Sequence, residues 1–321
     1  MIEEDEVRMR AGDVTLAGTL TLPPADGRRP WVLLVGSWLP RTRDGELDHA
    51  GHPSWFARPS TTRPGLLARL ADALAERGVA SLRLDGRGTG ASGGAWETTS
   101  LFTRIDDARD AIGAMRSRPE LDLRRTAIVG HGEGAAVALS VAIGDPAIGA
   151  VGLIGAWARS LRTVLRAGVA ARDRTGTDRG HPLVAALDAA SEELIERAER
   201  GERQLTLRLA TGDAVTLDLA AWEQGIHTPP LALATMLHRP VVLLHGRADA
   251  WADAEESRLL AGTLREAGNE PQLRLVDGAG HDLDEADDGR IGAFADDLVA
   301  RMQPRELPPV LVAIEEMGGG R

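Results

Sequence analysis

The chain has 321 residues, 43% of them hydrophobic and 26% charged, and a formal net charge of −11. That length suffices for one large domain with a full core or two small ones. The acidic balance, spread along the chain, argues against nucleic acid or an anionic membrane as a partner. Cysteine and tyrosine are absent and all 37 basic side chains are arginine. This excludes thiolate nucleophiles, Schiff-base lysines, tyrosyl acids and cysteine-ligated metals. The start, MIEEDEVRMR, has no apolar run, so no secretory leader is expected. No stretch reaches the ~20 apolar residues that span a bilayer, and a cytoplasmic location is expected.

In chain order, residues 7–23 read as an antiparallel hairpin turning at Gly12-Asp13. PWVLLVG (30–36) is a continuous apolar run of the kind a buried parallel strand shows. A long polar loop, 39–63, precedes an amphipathic helix marked by Leu66, Leu67, Leu70 and Leu74 and ending before Gly78. Strand 79–85, helix 101–118, strand 126–129, a helix from Gly134 and a strand within 148–157 continue the alternation. It breaks at 158–238, where helical stretches (158–171 and 182–200) precede a β-hairpin at 205–220. Strand 240–246, helix 253–267, strand 271–278 and helix 287–302 then resume the series. The layering and chirality rules give an α/β fold: a doubly wound, mostly parallel sheet. Residues 1–157 and 239–302 would form the core, 158–238 an inserted helical and hairpin lid, and 303–321 a tail. The tail is expected either to pack back or to lie in a homodimer contact.

AIVGHGEGAAVAL (127–139) carries the functional question. An apolar strand enters a glycine turn and a small-residue helix leaves it, the layout of the G-x-S-x-G nucleophile elbow. Yet the middle residue is Gly132. GHGEGA (130–135) also fits the dinucleotide fingerprint G-x-G-x-x-A. That fingerprint wants an acidic residue at the end of the next strand to hold a ribose, and this strand ends LIGAW. The pattern also arises cheaply, for it recurs at Gly88–Gly93. HGRADAWAD (245–253) places Asp249 just past a strand, and VDGAGHDLDE (276–285) places His281 in a turn after the last one. The order elbow, Asp, His is that of the α/β-hydrolases.

Over nearly its whole length the chain resembles the α/β-hydrolase-fold superfamily. LLVGSWLPRTRDGELD resembles the GSGPxDRDG loop of an esterase-like branch, LADALAERGVASLRLDGRGTGASGG its next segment, and GHGEGA its GHSEGA elbow. The resemblance implies Asp249 as triad acid and His281 as triad base. It implies an oxyanion hole from the backbone N–H of Glu133 with that of Ser37 or Trp38. It departs at Gly132, where serine is usual, and at Trp38-Leu39, where Gly-Pro is usual.

Loss of a triad serine costs roughly 10⁶ in turnover, so ordinary serine-esterase chemistry is not expected. An Asp249–His281 base could still take a proton from water or from a substrate hydroxyl, amine or carbon acid while N–H groups receive the oxyanion. That allows non-covalent hydrolysis, cyclisation, β-elimination or epimerisation, as relatives lacking the serine carry out in natural-product pathways. The alternative is an inactive small-molecule-binding pseudo-hydrolase. No cofactor or metal is implied; His49 and His52, three apart, lack a nearby third ligand.

Trp38, Trp96, Trp157 and Trp251 fall in loops at the carboxyl ends of strands, where open α/β sheets bind ligands. With His131 they would wall a cavity for a bulky apolar or aromatic small molecule, closed by the lid. Asp85 and Arg87 are expected to pair and pin the loop beside the elbow. Arg41 and Arg43 are expected either to attract a carboxylate or to sit solvated.

Overall fold

The computed structural model describes residues 1–59, 62–227 and 229–318. In chain order β1 (Glu3–Ala11) and β2 (Val14–Leu22) form the expected hairpin. β3 (Arg29–Val35), α1 (Leu66–Ala75), β4 (Ala80–Leu84), α2 (Leu101–Met115), β5 (Leu121–His131), α3 (Gly134–Gly144) and β6 (Ile148–Ile154) follow. The segment between β6 and the next sheet strand holds α4 (Leu161–Thr175), α5 (Pro182–Ala189), α6 (Ser191–Glu199), a hairpin of β7 (Gln204–Arg208) and β8 (Ala214–Asp218), α7 (Leu219–His227) and α8 (Pro230–Ala234). β9 (Val241–Gly246), α9 (Ala254–Glu266), β10 (Gln272–Val276), α10 (Asp288–Arg301) and α11 (Pro309–Gly318) complete the chain.

Eight strands form one sheet in the order β1-β2-β4-β3-β5-β6-β9-β10. β2 runs antiparallel to both neighbours, and every other pairing is parallel. The continuous apolar runs are explained by burial on both faces. Successive strand side chains point to opposite sides. Thus Trp31 and Leu33 of β3, Ile128 of β5 and Val241 and Leu243 of β9 pack on α2, α3 and α9. Val32 and Leu34, Ala127 and Val129, and Val242 and Leu244 pack on α1 and α10. This is the doubly wound, mostly parallel architecture the alternation implies.

A third apolar cluster lies over the carboxyl ends of the strands. It joins Leu39, Trp96, Trp157 and Trp251 of the loops to Leu161, Leu165, Leu183, Leu194, Leu217 and Trp222 of the segment 158–227. Arg172 locks the two together. Fully buried, it pairs with Asp188 at 2.5 Å and covers the Trp251 ring at 3.8 Å. α8 instead leads into Ala234 and Leu237, which belong to the core on the α3 side.

Three local expectations differ. The 182–200 helix breaks at Ala190 into α5 and α6, where the Ser191 hydroxyl donates to the Asp188 carbonyl. α7 begins where β8 ends, with Asp218 accepting from the Ala220 N–H at 3.0 Å. β5 starts at Leu121 rather than near 126, its charged first half touching β3 only at Arg29. In the tail, Leu307 and Leu311 pack on Leu123 and Ala147; its last residues, 319–321, lie outside the described residues.

Candidate active site

The turn after β5 is shaped by what has no room. A Cβ on Gly130 would collide with the Gly134 backbone, and one on Gly134 would meet the carbonyls of Val35 and Gly36. These close approaches seat α3 tightly on the strands. Gly132 itself has φ +58 and donates its N–H to the Ile154 carbonyl at 2.9 Å.

Asp249 and His281 come together beside this turn. His281 Nδ1 lies 2.7 Å from Asp249 Oδ2, so Nδ1 donates and Nε2 keeps its lone pair. A Cβ at 132 would stand 3.0 Å from that Nε2. Asp249 also accepts from the N–H groups of Trp251 (2.7 Å) and Ala252 (3.0 Å). A fourth donor is His245, fully buried, whose Nε2 lies 3.1 Å from Asp249 Oδ2 and 2.9 Å from the Ala252 carbonyl. Both neighbours are acceptors, so Nε2 carries the proton. Burial by itself would raise the Asp249 carboxyl; the two imidazoles, His281 foremost, outweigh it and hold it well below the usual carboxylate range. Burial pushes the His281 imidazole down, but the Asp249 charge and hydrogen bond outweigh it and raise its pKa above the ordinary 6.5.

Ser37 and Trp38 follow β3 and face the same turn. Among the described residues no acceptor is found for the backbone N–H of Ser37, Trp38 or Glu133. Arg104, on α2, holds this arrangement. It donates to the Gly36 and Ser37 carbonyls (2.5 and 3.0 Å) and pairs with the Glu133 carboxylate at 2.6 Å. The Ser37 side chain is not where an N–H donor alone would leave it. A Cβ at 132 would collide with Ser37 Oγ, so this hydroxyl occupies the seat that Gly132 leaves open.

Trp38 divides the space above the sheet. On one side lies a cavity of about 110 Å³ lined by Ser37, Trp96, Arg104, Glu133 and Trp222. On the other a chamber of about 10 Å³ is lined by His281, Trp157, Leu165 and Trp251. The larger space does not reach His281, and Ser37 and Trp38 line both. Trp38 is fixed by ring contacts to Trp96, Trp222 and Trp251 at 6.2, 4.9 and 6.0 Å.

Several expected roles are corrected. His131 is fully buried and lines neither cavity. Its ring packs 4.5 Å from that of His281, its Nε2 donates to the His281 carbonyl at 3.1 Å, and burial pushes its pKa down to about 3. Asp85 and Arg87 do not pair. Asp85 binds Arg43 at 2.8 Å, and Arg87 binds Asp107 at 2.7 Å. Arg41 is buried against Asp282 at 3.0 Å rather than solvated. His49 and His52 bond the carbonyls of Phe56 and Gly88. Among the described residues one group has the donors for a metal ion, His131, His281 and Asp282, with ligand atoms within 4.8 Å. There Arg41 already supplies the positive partner of Asp282.

His245 and Arg104 are the functional neighbours that sequence reasoning missed. His245 sits at the end of an apolar run with no pattern to mark it. Arg104 falls on the same helical face as Leu101, Ile105 and Ala108, an arginine on a buried stripe, which was the available signal.

Residues 63–170 match the family described as serine aminopeptidase, S33. No curated protein matches the sequence. Among solved structures, Est1E from Butyrivibrio proteoclasticus, with ferulic acid bound, is similar over 92% of this chain and 99% of its own, with 15% identity and a TM-score of 0.63. The α/β hydrolase GrgF from Penicillium sp. sh18 matches at 18% identity and a TM-score of 0.62, over 94% of this chain and 99% of its own. An esterase from Pyrococcus furiosus matches at 17% and 0.59, over 92% and 91%. The chain has the α/β-hydrolase fold. In this α/β-hydrolase-fold chain, residue 132, in the turn between β5 and α3, is glycine.

Proposed function

We propose that the chain is an enzyme in which His281, oriented by Asp249, acts as a general base on a bulky, mostly apolar carbonyl compound, with no covalent intermediate on residue 132. The observation that carries this is the 2.7 Å bond from His281 Nδ1 to Asp249, which leaves a basic Nε2 aimed at the turn, 3.0 Å from where a Cβ of residue 132 would stand. The N–H groups of Glu133 and Trp38 are free to receive an enolate or a tetrahedral oxyanion. The space at His281, walled by Trp157 and Trp251, has room for about one water. A bulky substrate would therefore seat in the cavity of about 110 Å³ walled by Trp96 and Trp222, and reach His281 as Trp38, which borders both, swings aside. The segment 158–238 acts as the lid that keeps water out. An aromatic acid such as the ferulic acid held by Est1E is of the class such walls accept. The reactions open to this base are hydrolysis by water, cyclisation, elimination and epimerisation beside a carbonyl.

Two assays test the reading. p-Nitrophenyl esters of aromatic acids report hydrolysis, and α-proton exchange of aryl ketones and esters in D₂O, followed by NMR, reports enolisation. At least one is expected in the parent, falling 10³-fold or more in His281→Ala and in Asp249→Ala. Turnover that survives both substitutions at the parent rate would sink the assignment.

A further inference from the structure

We infer that Ser37 is a nucleophile relocated to the loop after β3, occupying with its hydroxyl the place that an elbow serine would fill. The inference rests on His281 being the base. Its own support is geometric. The ideal Cβ of residue 132 would overlap Ser37 Oγ while standing 3.0 Å from His281 Nε2. The Ser37 hydroxyl and the basic nitrogen therefore converge on one point from opposite loops. Among the described residues, the Ser37 hydroxyl has no hydrogen-bond partner, although the residue is only 7% exposed. Ser37 lines the cavities on both sides of Trp38, within reach of a bound substrate. Its backbone is fixed by Arg104, which binds the carbonyls of Gly36 and Ser37. The chemistry requires Ser37 Oγ to close on Nε2, the tightening such pairs undergo when substrate binds.

The chemistry balances without a co-reactant other than water. Ser37 Oγ attacks the carbonyl carbon of an ester or thioester and its proton passes to His281 Nε2. The carbonyl electron pair moves to oxygen, facing the N–H groups of Glu133 and Trp38. Collapse expels the leaving group, which takes the proton from His281, and leaves an acyl group on Ser37. Water deprotonated by His281 then cleaves that ester, releases the acid and returns the proton to Ser37. Glycine at 132 is a requirement of this arrangement, because any side chain there would displace the hydroxyl.

A fluorophosphonate probe tests it without knowledge of the substrate. Peptide mapping is expected to find one adduct, on the arginine-bounded peptide that contains Ser37. The labelling rate should fall at least 100-fold in His281→Ala, and the adduct should be lost in Ser37→Ala with the far-ultraviolet circular dichroism unchanged. An adduct at another residue, or equal labelling of Ser37→Ala, overturns the proposal for Ser37. So does an unlabelled parent whose α-proton exchange still depends on His281, a result that leaves the base assignment standing. Labelling of Ser37 at the parent rate in His281→Ala would overturn the base assignment and the relocated nucleophile with it.

Discussion

Asp249→Asn separates the orienting role of this carboxylate from mere space-filling, because its two oxygens face four donors. Oδ2 receives His281 and His245, and Oδ1 receives the N–H groups of Trp251 and Ala252. An asparagine amide has one acceptor and one NH₂, so either orientation aims NH₂ at two donors. Turned toward the loop, it leaves two buried backbone N–H groups unpaired, at about 1–3 kcal/mol each. Turned toward the imidazoles, it forces His281 to the other tautomer and removes the basic Nε2. The expected stability loss is therefore about 2–6 kcal/mol. With about 2.1 cal/mol/K per residue over 321 residues, that is a fall in melting temperature of about 3–9 °C. Differential scanning calorimetry reads the fall, and ¹⁵N NMR of the imidazoles reads the tautomer. The His281 pKa, raised by the carboxylate, should drop in the variant, moving the acid limb of any pH–rate profile to lower pH. An unchanged melting temperature together with an unchanged His281 titration would refute this account of the pair.

Arg172→Met strands the buried Asp188 and should cost about 3–5 kcal/mol by urea unfolding, whereas Arg172→Met with Asp188→Leu should recover most of it; equal losses would show that the ion pair does not lock the insertion. Trp38→Ala removes the wall between the two cavities, so 1-anilinonaphthalene-8-sulfonate should bind more tightly by fluorescence titration despite a loss of about 3–5 kcal/mol in stability; unchanged affinity would refute the partition. His131, with its pKa pushed down from 6.5 to about 3, binds a proton in the unfolded chain before it can in the folded one. Its contribution is intact above pH 6.5 and is lost as the pH falls toward 3, at about 1.4 kcal/mol per unit; His131→Gln keeps an N–H donor and should flatten the acid side of the stability profile relative to the parent, and parallel profiles would count against it. Gly132→Ser alone places its Cβ against Ser37 Oγ and should lower ester hydrolysis below the parent, while Gly132→Ser with Ser37→Gly clears the seat and should restore it; parent-level activity in the single variant, with the probe still on Ser37, would show that Ser37 moves freely.

What the sequence made legible follows from which forces act locally. The runs at 30–36 and 240–246 could only be strands buried on both faces, and alternate residues of each do divide between the two helical layers. Asp249 and His281 were legible because their positions past strand ends are fixed by the alternation itself. Pairing partners were not. Asp85 and Arg87 are two apart, yet each finds an opposite charge supplied by a distant segment, Arg43 and Asp107. In a chain with 37 arginines, sequence proximity says little about which carboxylate each one meets. His245 was illegible for a different reason: its role depends on the return of the 249–252 loop over the strand end, which no periodicity encodes. For Ser37 the sequence suggested a backbone N–H role rather than a side-chain one, since the place of its hydroxyl depends on the absence of a Cβ ninety-odd residues away.

The arrangement of these groups bears on whether the site is a relic. Asp249 would keep its structural work without His281, because Trp251, Ala252 and His245 still bind it. His281 has no such second use. Its ring is nearly buried, and among the described residues its Nε2 has no hydrogen-bond partner. The ring lines the chamber walled by Trp157 and Trp251, where a proton acceptor would meet a substrate. The unpaired Ser37 hydroxyl faces the same point, as does an elbow turn at φ +58. Three separate loops thus converge on one volume a few ångströms across. That convergence is what a substrate's reacting atom, placed there, would turn to use.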